Sequence, residues 1–353
     1  MSLAPLAGHN AVRAQLADAV ASGRLPQVLL VTGPRGVGKQ RLALWLGQLL
    51  LCERRGADPC GSCSACTQVL GLAHPDLHWF VPVPTLKGDA EKQVEEAETS
   101  LEGIMAERRL SPFWTPPEGT SAHFVACARL LHRQASMTSV AGGWRVFIVG
   151  DADRLVSQAG AEAGANALLK LLEEPPPRSL FVLTTSEPGL VLPTIRSRAM
   201  PLRLNRLENE EVRAFLAEVK PELATAERVA AANGAIGVAV GGNDFTAKAA
   251  AAADEFLLAV SRGPAAAAER VMRQGTWAAR GEFTALLDAM AEGLAARAKG
   301  AILPGNRVPS GSAAGMLAGV ERVLVARDRA QGNVNPQLLL AVLANELSAL
   351  EAV

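Results

Sequence analysis

The sequence predicts an α/β core of the phosphate-loop class with a metal-binding cysteine module, followed by an all-helical C-terminal part. The first observation is QVLLVTG, residues 27–33, which runs into a glycine loop ending in Gly38-Lys39 and then into QRLALWLGQLLLC. That is strand, loop and helix in the order a phosphate-binding loop needs. The second is that strand-like and helix-like stretches alternate up to about residue 204, which implies a mostly parallel sheet. The third is that strand signals fade beyond 205, where Ala, Leu and Glu recur at helical spacing.

The elements follow in order. HNAVRAQLADAVAS, residues 9–22, places Val12, Leu16, Ala19 and Val20 on one helical face, and SGRLP turns the chain toward the first strand. The apolar run QVLLV suits a strand buried on both faces. Residues 84–120 are charged, with prolines toward the end. EKQVEEAETSLEGIM reads as an exposed helix, whereas SPFWTPPEG cannot be helical. The segment is expected to be a surface insertion, with Phe113 and Trp114 as the alternative sign of a partner contact. WRVFIVG, ending at Gly150, is a second strand, and SLFVLTTS, Ser179–Ser186, a third. Between them GANALLKLLEEPPP is a helix stopped by Pro175, Pro176 and Pro177. The expected domains are a core over 1–204, including the cysteine module 52–66 and the insertion at about 84–120, a small helical unit over 205–246, and a helical domain over 247–353.

Length and composition limit the function classes. A chain of 353 residues with 49% apolar and 20% charged residues supports two or three packed domains and argues against global disorder. A formal net charge of zero argues against a free-standing nucleic-acid binder held by a basic face. No apolar run reaches the roughly 18–20 residues a membrane span requires, and the first residues lack a secretory pattern. A cytoplasmic protein with no membrane partner is the expectation.

Four of the five cysteines crowd into Cys52, Cys60, Cys63 and Cys66. Clustering of this kind in a cytosolic-looking chain points to a metal rather than to disulfides. The C-x2-C spacing lets two thiolates reach one ion from a tight turn, and four soft ligands close a tetrahedron around a structural Zn²⁺. The ferredoxin-type iron–sulfur run needs a cysteine at position 70, which is Leu. Cys127 reads as a buried apolar residue.

The loop itself, GPRGVGKQ, supplies Gly33, Gly36, Gly38 and Lys39 as candidate phosphate contacts. It then carries Gln40 where a Ser or Thr hydroxyl would hold Mg²⁺. The strand after WRVFI ends in Gly150-Asp151-Ala152-Asp153, so glycine stands where a metal-binding carboxylate is expected. Backbone N–H groups and Lys39 could still cradle the phosphates of ATP or ADP. Mg²⁺-dependent hydrolysis by this chain is not expected.

With these residues set out, the chain resembles the AAA+ clamp-loader family, and within it the delta-prime subunits of the bacterial DNA polymerase III clamp loader. The carriers are GHNAVRAQLADAVASGRLP, GPRGVGK, the cysteines followed by HPDL, NALLKLLEEPPP, LTTSEP, LPTIRSR and NVNPQLLLAVLANEL, spread over nearly the whole chain. The resemblance implies an AAA+ core, a helical lid and a helical collar. It implies a hetero-pentamer with gamma/tau and delta subunits that loads a sliding clamp onto primed DNA, within the DNA-directed DNA polymerase holoenzyme. It further implies that Ser197-Arg198 matches the family's Ser-Arg-Cys, with Ala199 replacing the cysteine, and that Arg198 reaches a neighbour's ATP in trans. The related gamma/tau motor carries a hydroxyl residue after the loop lysine, an Asp-Glu pair and a G-x-x-R lid motif. Here the corresponding lid stretch ends in Gly237. An ATP-hydrolysing gamma/tau-like motor is the alternative, and an autonomous ATPase or a lone zinc-dependent DNA-binding module are the other classes weighed.

Overall fold

The computed structural model describes residues 3–54, 56–111, 113, 121–155, 162–241, 244–274, 280–302, 313–330 and 334–350. They form two units, Met1–Gly241 and Gly242–Val353.

In the first unit a helix α1 (Asn10–Ala21) leads to strand β1 (Val28–Thr32), the phosphate loop and α2 (Lys39–Leu51). The cysteine segment and α3 (Ser64–Leu70) precede β2 (Leu77–Phe80). An insertion then pairs β3 (Val83–Pro84) antiparallel with β4 (Ser121–Ala122) on either side of α4 (Ala90–Leu110). The chain continues through α5 (Val125–Ala135), β5 (Arg145–Val149), α6 (Glu162–Glu173), β6 (Ser179–Thr185), the short α7 (Pro193–Arg196) and β7 (Met200–Arg203). The main sheet has the order β2-β5-β6-β1-β7, and each of its pairings is parallel. The glycine loop therefore leaves the carboxyl end of a central strand, the place where open α/β sheets bind ligands.

β1, β5 and β6 are nearly or wholly buried along their length, as their unbroken apolar runs require. An aromatic ladder crosses three of the strands. His78 faces Phe147 at 5.0 Å and Phe147 faces Phe181 at 4.9 Å, each pair in direct register. Stacked rings at this spacing add to the burial of their area. β2 and β7 carried no strand signal in the sequence. β2 has only four residues, one of them His78, and β7 contains Pro201. Both lie at sheet edges, where a short or proline-containing strand is tolerated.

The helix expected to be exposed in the insertion is α4, and it buries a stripe. Ala97, Leu101 and Ile104, spaced by four and three residues, pack against the main core. Asp89 caps its first turn and Arg108 and Arg109 occupy its last, both suited to the helix dipole. Phe113 is not exposed among prolines. It packs edge-on to Phe215 at 6.3 Å with the Lys220 ammonium 5.2 Å above its ring. Trp114 lies outside the described residues. Three helices close this unit, α8 (Asn209–Val219), α9 (Ala226–Ala232) and α10 (Ile236–Val240). Val212, Phe215, Leu216 and Val229 form their small core.

The second unit contains α11 (Asp244–Ser261), α12 (Pro264–Met272), α13 (Arg280–Ile302), α14 (Ala313–Ala330) and α15 (Pro336–Ala349). They surround a core that includes Phe256, Leu257, Leu287, Met290, Leu294, Leu340 and Leu343. α15 starts sharply because the Asn335 side chain accepts from the N–H groups of Gln337 and Leu338, and Pro336 fills the first helical position. Among the described residues no helix is long and apolar enough to cross a membrane.

Burial pushes the imidazole of His78 down from 6.5 to about 4, with Asp76 opposing the shift. The unfolded chain therefore takes up this proton at a higher pH than the folded one. The contribution of the neutral ring is complete above about pH 6.5 and is lost as the pH falls toward 4, on the order of 3 kcal/mol in all. His78→Phe keeps a stacked ring and removes the titration. Urea midpoints measured at pH 7 and pH 4.5 are expected to differ less for this variant than for the wild type, and equal differences would refute this account.

Candidate functional site

The loop between β1 and α2 keeps its shape through backbone constraints. Gly36 and Gly38 hold φ of 77° and 102°, a region that disfavours side chains. Gly33 is fixed by a close neighbour, since a Cβ there would lie 2.5 Å from the Leu204 carbonyl that follows β7. The His9 ring nitrogen Nε2 donates to the Val37 carbonyl at 2.8 Å, tying the segment before α1 to the loop.

Lys39 is buried and turned back onto the loop. Its ammonium donates to the carbonyls of Gly33 and Pro34 at 2.8 and 2.7 Å and to the Ser186 hydroxyl at 2.9 Å. Burial pushes its pKa down to about 8, although the nearby Asp151 and Asp153 pull the other way. Beside it, the Thr185 hydroxyl donates to Asp153, whose carboxyl is pushed up by burial. Asp151 follows the strand with φ 51°.

Gln40 and Gly150 fit one another. A Cβ on residue 150 would sit 2.6 Å from Gln40 Nε2, so the amide fills the space a side chain at 150 would enter. Gln40 Oε1 accepts from both terminal nitrogens of Arg108 at 3.4 Å each, and the Arg108 guanidinium lies 4.3 Å over the Trp79 ring. The insertion helix α4 thus delivers a cation to the side chain that follows the loop lysine. On the far side of Gly150, buried His123 donates from Nε2 to its carbonyl at 2.6 Å.

Gly237 meets the loop directly. Its N–H donates to the Gly36 carbonyl at 2.8 Å, and a Cβ on it would lie 2.8 Å from Gly36 Cα. α10 therefore backs onto the loop with main chain alone, and no larger residue fits at 237 without displacing one of the two.

Arg198 lies at the other end of the sheet. It stands two residues before β7, which pairs in parallel with β1 through Leu29↔Met200. Ser197 and Arg198 are thus level with the start of β1, roughly 15 Å, the length of a short strand, from the loop at its end. Arg198 Nε donates to Glu173 at 2.7 Å and its Nη2 reaches the same oxygen. Nη1 donates to the Thr194 carbonyl at 2.7 Å and to Ser197 Oγ at 3.2 Å.

The four cysteines converge. Cys52 ends α2 and Cys63 caps α3, and all four sulfurs lie within 4.8 Å of one another. Cys52 and Cys63 are 4.0 Å apart, and Cys60 and Cys66 3.9 Å. Zn–S bonds of about 2.3 Å put tetrahedral sulfurs about 3.8 Å apart, so the donor set could hold a metal ion such as zinc. Backbone N–H groups of Cys60, Cys63 and Cys66 donate to the sulfurs of Cys52, Cys60 and Cys63 at 3.4 Å, while burial pushes the Cys66 thiol up. N–H donors from Ser62 and Cys63 hold Cys60 at about 6. His74 and His78 stand apart from the cluster: His74 Nδ1 accepts from the Asp76 N–H, and His78 is in the aromatic ladder. Cys127 is buried in the core, which pushes its thiol up to about 11.

Sequence reasoning missed Arg108, Ser186 and Glu173 as members of these sites. Ser186 and Glu173 lay in segments already singled out, LTTSEP and LEEPPP. No local pattern marks Arg108, which reaches Gln40 because the buried stripe of α4 docks that helix on the core.

A family model described as DNA polymerase III, delta subunit, matches residues 8–208. The DNA polymerase III subunit delta' of Bacillus subtilis is 28% identical over 59% of this chain and 52% of its own length. The corresponding Escherichia coli protein is 33% identical over 50% of this chain and 42% of its own. The DNA polymerase III subunit gamma/tau of Mycobacterium tuberculosis is 32% identical over 62% of this chain and 31% of its own length. The matches thus span about a third of that gamma/tau relative and about half of these delta' relatives. Among solved structures, a DNA polymerase III gamma subunit-related protein from Thermotoga maritima aligns over 96% of this chain and 99% of its own, with 15% identity and a TM-score of 0.41.

The two glycine contacts predict different sensitivities. Gly237→Ala drives a methyl into main chain and is expected to cost about 1–3 kcal/mol. Gly150→Ala meets only the end of the Gln40 side chain and is expected to cost under about 1 kcal/mol. Chemical denaturation of both variants checks the order, and an equal or reversed cost contradicts it.

Proposed function

The chain belongs to the DNA polymerase III delta-subunit family, and from that premise we propose that it is the delta-prime-type, non-hydrolysing subunit of a clamp loader. The single observation that carries this reading is the separation of two half-sites. Its own loop lacks the metal-binding hydroxyl, the strand-end carboxylate at 150 and the lid arginine at 237. Arg198 sits on the opposite end of the sheet, where it cannot serve that loop.

In this reading Arg198 extends into the ATP site of a neighbouring gamma/tau subunit. Charge builds on the γ-phosphate oxygens as the phosphoryl group transfers, and a fixed guanidinium stabilises it, an effect worth about 10³–10⁵ in rate. Ser197 shapes the turn from which Arg198 projects. Gly33, Gly36, Gly38 and Lys39 keep the fold of the loop and offer at most a passive pocket for ATP or ADP, because Arg108 already places a cation beside Gln40. Residues 205–246 act as the lid and 247–353 as a collar joining a hetero-pentamer with gamma/tau and delta subunits. The assembly loads the sliding clamp onto primer-template DNA in the cytoplasm. Cys52, Cys60, Cys63 and Cys66 hold one structural Zn²⁺ with no open position for chemistry.

The alternative is an ATP-hydrolysing motor of the gamma/tau type, and the two readings make opposite predictions. In a reconstituted loader whose adjacent motor subunit alone keeps an intact loop lysine, Arg198→Ala is expected to lower DNA-stimulated ATP turnover by about 10³-fold or more. Lys39→Ala is expected to leave it unchanged. Loss of turnover with Lys39→Ala and none with Arg198→Ala would establish the motor instead. For the metal, elemental analysis of purified protein is expected to find one zinc per chain, absent in Cys66→Ser. A zinc-free wild type with native stability would exclude the structural ion.

A further inference from the structure

Glu173 closes α6, and Glu174 and three prolines follow it. A carboxylate there faces the negative end of the helix dipole, so the helix gains nothing from it. Its partner is Arg198, 25 residues further along the chain, bound through Nε at 2.7 Å and through Nη2 to the same oxygen, Oε1. The remaining terminal nitrogen, Nη1, is engaged by the Thr194 carbonyl and Ser197 Oγ. These bonds use four of the five guanidinium N–H donors and fix the plane of the group from its Nε side. The side chain stays 30% exposed and borders a cleft of about 450 Å³ between the end of α6 and the start of β7, lined also by Pro26, Pro175 and Met200.

We propose that Glu173 is the positioning residue for Arg198: it grips the Nε side of the guanidinium so that the one remaining N–H, on Nη2, is presented to the phosphate of a nucleotide held by a neighbouring subunit. Holding a long side chain in one orientation removes the rotamer freedom it would otherwise lose at the moment of reaction. An isolated exposed ion pair contributes little to stability, so the expected consequence of losing this one lies in turnover and not in folding. The inference rests on the trans role proposed for Arg198.

The test uses the reconstituted loader described above, with Glu173→Ala, Glu173→Gln, Arg198→Ala and the Glu173→Ala/Arg198→Ala double variant. Glu173→Ala is expected to lower kcat of the facing site about tenfold with KM for ATP within twofold. Glu173→Gln keeps an oxygen acceptor and is expected to recover most of that loss. The double variant is expected to be no slower than Arg198→Ala, because the two residues act as one unit. Full turnover in Arg198→Ala would overturn the trans reading itself. A slow Arg198→Ala with a normal Glu173→Ala would leave that reading standing and overturn the role of Glu173. So would a Glu173→Ala defect that appears in KM alone, or one that adds in full to Arg198→Ala.

Discussion

The parallel pairing of β7 with β1 is the constraint on which the functional geometry depends. Because both strands run the same way, the segment entering β7 must lie at the opposite end of the sheet from the loop leaving β1. Gly33 to Lys39 and Ser197-Arg198 are thus built on adjacent strands and yet kept a strand length apart. The same pairing seats the Leu204 carbonyl against Gly33, so one strand both shapes the loop and carries the arginine away from it.

Around the loop, the residues that depart from the phosphate-loop sequence pattern are matched to one another. Gln40 fills the space beside Gly150, Arg108 donates to Gln40, and Trp79 stacks on Arg108. A desolvated guanidinium is tolerated there because it has an amide oxygen, an aromatic face and the charge of Asp151 around it. Gly237 joins the same arrangement by letting main chain touch main chain at Gly36. A side chain at 150 would meet the end of Gln40, and one at 237 would meet the main chain of Gly36. Gln40 is therefore one part of a packed cluster.

The cysteine module is local by comparison. Its four sulfurs are brought together by the end of α2 and the first turn of α3, with Arg13 and Trp45 both contacting Asp58 to hold the intervening segment against the core. The insertion before β5 is different in kind. Its helix looked like a solvated charged face, and the short stripe of Ala97, Leu101 and Ile104 was enough to dock it and to aim Arg108 inward.

By itself the sequence determined the glycine loop between a strand and a helix, the proline stop after Glu174, the four-cysteine donor set and the helical C-terminal part. Each of these is written in residues close along the chain, where local sterics, periodicity and ligand spacing decide the outcome. Edge strands β2 and β7 were not legible, because four residues with a histidine or a proline become strands only when a neighbouring strand supplies their hydrogen bonds. The partnership of Arg108 with Gln40, of Gly237 with Gly36 and of Glu173 with Arg198 was decided by tertiary structure alone. Those pairs are separated by 68, 201 and 25 residues, and nothing in the local sequence of either member specifies the other. Sequence supplied the chemical groups, and the parallel sheet with its docked helices determined which of them meet.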